Sequence, residues 1–194
     1  MMGGSYFGNA GAFLIQTLFG MYILAVMLRF LLQWVRADFY NPVSQFLVKV
    51  TNPPLRPLRR IIPGLFGLDL ASVLLMVLLQ VVMLLLLSVV TGMAVTPLGL
   101  FVLAVAQLLG LLLNVFFYGI LIQAILSWVN PGVYNPVTSL LHALNEPLLR
   151  PARRLLPPIS GLDLSPVIVL IALQLLSYLV AAPLIDMAYL LMRT

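Results

Sequence analysis

Four long apolar stretches decide what this chain can become. Phe13–Val35 carries a single charge, Arg29, while Ala71–Val95, Leu98–Val129 and Leu164–Ile185 carry none. Crossing the hydrocarbon of a bilayer takes about 20 apolar residues in a helix. Inside lipid a lone segment satisfies its backbone only as a helix. Each stretch is therefore predicted to be a transmembrane helix. The third is longer than a span requires, so it is tilted or extends past the membrane. Composition agrees: 63% of residues are hydrophobic, 8% are charged and the mean hydropathy is +1.16. Soluble domains carry roughly 25% charge. No Lys or Arg precedes Arg29, so the first stretch is expected to stay in the membrane and not to be a cleaved signal.

The basic residues orient these spans. Arg36, Lys49, Arg56, Arg59 and Arg60 lie between the first and second, and Arg150, Arg153 and Arg154 between the third and fourth. The first twelve residues and the Thr96-Pro97 connection hold none. The positive-inside rule puts both basic loops in the cytoplasm and both termini outside, which in a bacterial inner membrane is the periplasm.

Displaced by 94 residues, the sequence meets itself without a gap. Trp34-Val35 falls on Trp128-Val129, and Tyr40-Asn41-Pro42-Val43 on Tyr134-Asn135-Pro136-Val137. Arg56-Pro57, Arg59-Arg60 and Pro63 fall on Arg150-Pro151, Arg153-Arg154 and Pro157. Gly67-Leu68-Asp69-Leu70 falls on Gly161-Leu162-Asp163-Leu164, and Gln80 on Gln174. Each copy holds an even number of spans, so both enter the membrane in the same direction, as parallel repeats about an axis along the membrane normal. The expected fold is an all-α membrane domain of four transmembrane helices. Its first repeat covers 1–95, with a basic loop at 36–70. Its second covers 96–194, with a basic loop at 130–164.

The loops carry most of the repeated residues. Asn41 is a good helix N-cap and Pro42 suits the first helical position. Val43, Phe46, Leu47 and Val50 follow with the spacing of one apolar face. Asn135, Pro136, Val137, Leu140, Leu141 and Leu144 repeat the pattern. A short amphipathic helix is expected there, along the membrane surface or against the bundle. A second short helix is expected after it, limited to two turns by its prolines. On it Arg56, Arg59 and Arg60 share a face opposite Leu58, Ile61 and Ile62. In the second copy Arg150, Arg153 and Arg154 oppose Ala152, Leu155 and Leu156. Such a helix would sit at the acyl boundary with its guanidiniums among headgroups. The arginines either set topology alone or form a site for anionic phospholipid or a partner. Asp69 and Asp163, at the entry of spans two and four, are candidate helix caps, ion-pair partners of those arginines, or both.

Within the spans, Gln80, Gln174 and Asn114 are polar candidates, either hydrogen-bonding between helices or lining a conduction path. Arg29 is placed to snorkel to the headgroups, and Trp34 and Trp128 belong to an interfacial aromatic belt. Gly4, Gly8 and Ala12 form a small-residue stripe suited to close packing. His142, opposite Val48 in the repeat, receives no role. The chain has no cysteine, one histidine and five acidic residues. No catalytic residue, metal site or cofactor is assigned, and no direct contact with nucleic acid is expected.

The N-P-V turn, the P-x-L-R-P-x-R-R-x-x-P loop and the G-L-D-L helix start, each present twice, resemble the YggT family of small bacterial membrane proteins, in its doubled form. The departures are Asn145-Glu146 in place of Thr51-Asn52, and Pro166 after Asp163. The resemblance implies roles connected with cell division, maturation of membrane complexes or osmotic tolerance, with no enzymatic activity and no assigned ligand residues. Two function classes follow. One is a non-enzymatic scaffold or assembly factor whose arginine loops contact anionic lipid or an unidentified membrane protein. The other is a small channel or transporter acting as a homo-oligomer.

Overall fold

The computed structural model describes residues 3–64, 67–129, 135–155 and 163–193. Tyr134, Leu156, Pro157 and Gly161-Leu162 of the second copy lie outside them. The described elements are helical: α1 Gly3–Trp34, α2 Pro42–Ile61, α3 Leu70–Thr91, α4 Pro97–Val129, α5 Pro136–Leu155, α6 Ser165–Leu176 and α7 Ala182–Arg193. Four helical stretches are long and apolar enough to cross a membrane: Tyr6–Trp34, Leu70–Thr91, Pro97–Ser127 and Ser165–Met192. The last contains α6 and α7, joined through a π-helical turn at Ser177–Ala181. That turn ends two residues before Pro183, whose missing N–H could not have continued regular α bonding.

Helix ends follow local chemistry. α3 stops at Gly92, which takes a left-handed conformation with φ +70°, a C-cap that glycine adopts without strain. This is three residues before the apolar stretch ends at Val95. α4 starts after Thr96, whose hydroxyl accepts the Gly99 N–H at 3.2 Å and donates to the Leu191 carbonyl at 2.8 Å. A Cβ on Gly99 would stand 2.7 Å from Met192 Cγ and 3.1 Å from the Ala188 carbonyl. Glycine is required for α7 to lie this close to α4.

The loops differ from the expectation of two short helices. α2 and α5 are each one continuous helix of 20 residues, running through Pro53, Pro54 and Pro57 in α2 and through Pro147 and Pro151 in α5. Asparagine caps start both. Asn41 Oδ1 accepts the Val43 N–H at 2.9 Å, and Asn135 Oδ1 accepts those of Val137 and Thr138, each at 2.9 Å. A proline removes a donor and leaves the carbonyl four residues earlier without its helical partner. Part of that loss is made good from outside the helix. The Val50 carbonyl, left by Pro54, accepts the Tyr22 hydroxyl of α1 at 3.3 Å.

The face that α2 docks is also rotated from the expected one. Ser44, Leu47, Thr51 and Leu55 are buried, whereas Phe46 is 63% exposed and Ile61 79%. In α5 the buried positions are Thr138, Leu140, Leu144, Asn145, Leu149 and Ala152. α2 packs on α1 and α3, and α5 on α4 and α6. α5 also touches α1, but α2 makes no matching contact with α4 among the described residues. One core joins the halves, with Ile23, Val26, Leu31, Leu55, Ile120 and Leu149 among its most buried members. A smaller cluster of Leu84, Leu100, Leu103, Ala104, Ala188 and Met192 fills the end where α3, α4 and α7 meet.

Candidate functional site

The polar chemistry concentrates where each long helix of a repeat meets its proline-rich helix. Arg29, near the end of α1, is only 7% exposed. Its Nη1 donates to Thr51 Oγ1 at 2.7 Å, Asn52 Oδ1 at 2.9 Å and the Val48 carbonyl at 3.3 Å. Thr51 in turn donates to the Leu47 carbonyl at 2.6 Å. The expected snorkelling is therefore corrected. α2 covers Arg29, and its polar groups take the place of headgroup water. Arg29 has no ion pair among the described residues.

The equivalent position in the second copy is Gln123, also buried. Its amide reaches the equivalent helix: Nε2 lies 2.9 Å from His142 Nδ1, and Oε1 accepts Asn145 Nδ2 at 2.7 Å. His142, given no role from sequence and itself exposed, thus bonds the buried amide pair of Gln123 and Asn145. Gly119 makes the space, since a Cβ there would stand 3.1 Å from Asn145 Oδ1. The sequence held a signal for this. Displaced by 94 residues, Arg29, Val48, Thr51 and Asn52 become Gln123, His142, Asn145 and Glu146. Four positions that touch one another change together.

The arginine clusters divide. Arg59 pairs with the buried Asp69, through Nη2 to Oδ2 and through Nε to Oδ1 at 3.4 Å, and also donates to Gln33 Oε1 at 3.4 Å. Ser72 Oγ adds a bond to Asp69 Oδ2 at 2.5 Å. Burial pushes the Asp69 carboxyl up, but the hydrogen bonds from Arg59 and Ser72 and the Arg59 charge outweigh it and hold the group below the usual carboxylate range. Asp69 occupies the N-cap position of α3 without a side-chain capping bond. In the second copy Arg153 donates to Asp163 at 3.0 Å and Glu146 at 2.9 Å. Asp163 also accepts the Ser165 N–H at 2.9 Å, at the start of α6. Burial works against ionisation of Asp163 too, and its bonds to Ser165 and Arg153 again leave the carboxyl lowered. Arg56, Arg60, Arg150 and Arg154 are exposed and have no ion pair among the described residues.

Each cluster borders a cavity. One of about 330 Å³ lies between α1 and α2 and is lined by Arg29, Arg36, Ser44 and Arg59, with Leu32 and Phe39. The other, about 620 Å³, is lined by Gln123, Ser127, His142, Arg153 and Asp163, with apolar groups of α4 and α6. Four lining positions of the first have their repeat equivalents in the second. The first is cationic, while in the second Arg153 faces Asp163. Where the halves meet, Asn41 Nδ2 donates to the Pro136 carbonyl at 2.7 Å, joining the two N-P-V turns.

The intramembrane amides are placed unequally. Gln80 is buried and donates to Gln107 Oε1 at 2.5 Å across the α3–α4 seam. Gln174 is half-buried and Asn114 is exposed on α4. No three His, Asp or Glu side chains among the described residues gather as a metal site needs.

A family model described as CCB3/YggT matches residues 8–90 and again 102–184, two segments at the same 94-residue displacement. An uncharacterised protein of Pseudomonas aeruginosa is 48% identical over 174 residues, covering 89% of this chain and 88% of its own. One of Vibrio alginolyticus is 45% identical over 175 residues, covering 88% and 93%. The uncharacterised protein YggT of Escherichia coli is 41% identical over 175 residues, covering 89% and 90%. No solved structure matches the chain.

Proposed function

The chain belongs to the CCB3/YggT family, and on that premise we propose that it is a non-enzymatic scaffold or assembly factor of the bacterial inner membrane. In this proposal α2 and α5 lie at the cytoplasmic face and hold exposed arginines against anionic phospholipid or a partner's acidic surface. One observation carries it, the division of α2 into three stripes. Ser44, Leu47, Thr51 and Leu55 face the bundle. Phe46 and Ile61 form an apolar stripe left open. Lys49, Arg56 and Arg60 form an exposed cationic one. A helix docked on one side, apolar on the second and basic on the third suits the corner between bundle, acyl chains and headgroups. Each arginine near an anionic leaflet contributes about 1 kcal/mol. The reading puts Gln45 on the cytoplasmic side and Met93, in the opposite connection, outside. The channel alternative draws no support from Gln80, whose amide is satisfied by Gln107.

The test uses the full chain purified from bacterial membranes. Replacing Arg56, Arg60, Arg150 and Arg154 together by glutamine should reduce the phosphatidylglycerol that copurifies with it, as lipid extraction and mass spectrometry read it. A cysteine at Gln45 should resist, and one at Met93 react with, an impermeant thiol reagent in intact cells. Unchanged lipid content refutes the lipid contact. Reaction at Gln45 refutes the orientation.

A further inference from the structure

We infer that the cavity between α1 and α2 is a binding site for a phosphate group, carried by a phospholipid headgroup or by a small phosphorylated solute. It deepens the preceding proposal, resting on it for the position of α2 beside the headgroups. Four observations meet here. Arg29 is a buried cation whose bonds run to neutral acceptors only, all through Nη1. Buried charges are ordinarily matched by an opposite charge. Ser44 is 7% exposed, lines the cavity, and its Oγ has no hydrogen-bond partner among the described residues. Arg36 lines the same space from an unusual backbone. It sits at φ +53°, just past α1, where its N–H bonds the Gln33 carbonyl at 3.1 Å and the Ala37 N–H the Leu32 carbonyl at 2.9 Å. That turn favours glycine, yet an arginine holds it and has no ion pair among the described residues. Lastly, three guanidiniums reach the cavity, and the single carboxylate bonded to one of them, Asp69, is shared with Ser72.

A tetrahedral dianion or phosphodiester suits this set. Guanidinium forks bond phosphate oxygens in pairs, and a serine hydroxyl adds a neutral donor. The apolar wall formed by Leu32, Leu47 and Phe39 suits the start of an acyl chain or a small organic substituent. A volume of about 330 Å³ is within the range of small-molecule sites. The second copy has Gln123 and Asn130 where the first has Arg29 and Arg36, so it supplies a poorer match for an anion.

Full-length protein in a maltoside micelle would be titrated calorimetrically with dihexanoylphosphatidylglycerol and, separately, with inorganic phosphate. Saturable binding by at least one probe is expected. Arg36→Gln and Ser44→Ala should each weaken it, the former about tenfold, as loss of a charge-assisted hydrogen bond requires. Neither side chain makes a bond on which the fold depends, and a melting curve checks this. Arg36→Lys should recover part of the affinity. Binding of the lipid without the inorganic ion assigns the site to headgroups. Binding of both, in competition, assigns it to free phosphate or a phosphorylated solute. No saturable binding by either probe, or binding within twofold of the parent in the Arg36→Gln, Ser44→Ala double variant, overturns the inference. Arg56→Gln with Arg60→Gln, titrated alongside, separates the two proposals. If these leave the affinity intact while Arg36→Gln lowers it, the cavity stands without the exposed arginines.

Discussion

At the foot of α1 the group reaching into the neighbouring helix is a guanidinium; at the equivalent place in α4 it is an amide. Arg29 bonds Val48, Thr51 and Asn52, and Gln123 bonds His142 and Asn145. The backbone register is the same in both copies, but the chemistry has been exchanged as a set. Where Asn52 accepts from Arg29, its equivalent Glu146 is released from the cluster and bonds Arg153 instead. The long helix must hold the proline-rich helix by a polar contact, and either chemistry serves if its neighbours agree. The copies differ most in charge: the first buries a cation, Arg29, and among its described residues the second buries none.

The sharpest way to break this comparison is to remove the central group from each copy. Arg29→Met leaves Thr51, Asn52 and the Val48 carbonyl without their donor, and should cost about 2–4 kcal/mol from loss of a buried network. Gln123→Met should cost less, about 1–2 kcal/mol, because no charge is involved. Thermal unfolding in detergent measures both. Grafting the second set onto the first copy (Arg29→Gln, Val48→His, Thr51→Asn, Asn52→Glu) should restore part of what Arg29→Gln alone loses. No recovery would mean that the exchange is not a unit.

Acid should separate the copies next. The carboxyls of Asp69 and Asp163 are both lowered on folding, so their contribution is present above the unfolded carboxylate range and is lost as pH falls through the folded value. Asp69, with 6% of its side chain exposed against 38% for Asp163, has more to lose. Asp69→Asn should cost about 1–3 kcal/mol at neutral pH and flatten the acid limb of stability. Asp163→Asn should cost less than about 1 kcal/mol, as for an exposed pair. Equal acid limbs in the two variants would remove this distinction.

A smaller effect sharpens the packing side. In the second copy Gly119 faces Asn145; the equivalent positions in the first copy hold Ala25 and the shorter Thr51. Gly119→Ala should destabilise by about 1 kcal/mol through crowding. Adding Asn145→Thr should relieve the crowding, read as a coupling between the two sites in a double-mutant cycle.

The smallest expected difference lies mid-membrane. Gln80 finds Gln107, but α6, which carries Gln174, does not touch α1 among the described residues, and the residue matching Gln107 in the first copy is Phe13. Gln80→Leu should cost about 0.6 kcal/mol and Gln174→Leu close to nothing in the same unfolding assay.

The sequence displays some of this openly. Hydropathy marks all four spans, because apolar length is a bulk property that no single contact overrides, but the first begins seven residues earlier, at Tyr6, and the last runs seven further, to Met192; the end of α3 at Gly92, before Val95, depends on a left-handed turn that hydropathy does not register. The repeat was equally plain. The continuous α2 was hidden because the rule that proline ends a helix assumes that no outside group supplies the missing donors, and Tyr22 supplies one. Arg29 was misplaced for a related reason. Snorkelling describes an arginine at the edge of a lone helix, and it fails once another helix lies over the edge. His142 lost its meaning when viewed alone, since only its contact with Gln123 gives it one. The exchange at Thr51-Asn52 is a minor departure within its own segment and becomes part of a unit only beside Arg29 and Val48, which change with it.

The prolines of α2 also set an order of events during synthesis. A proline inside a helix costs about 3 kcal/mol relative to alanine, and α2 contains three. A segment so handicapped has no helix of its own to offer while it waits outside the bilayer. Its donors, Tyr22 and Arg29, come from α1, and the core around Leu55 is complete only once α1 and α3 have come together. α2 is therefore expected to fold last in its half, as a basic tether between two inserted helices that closes over the seam they create.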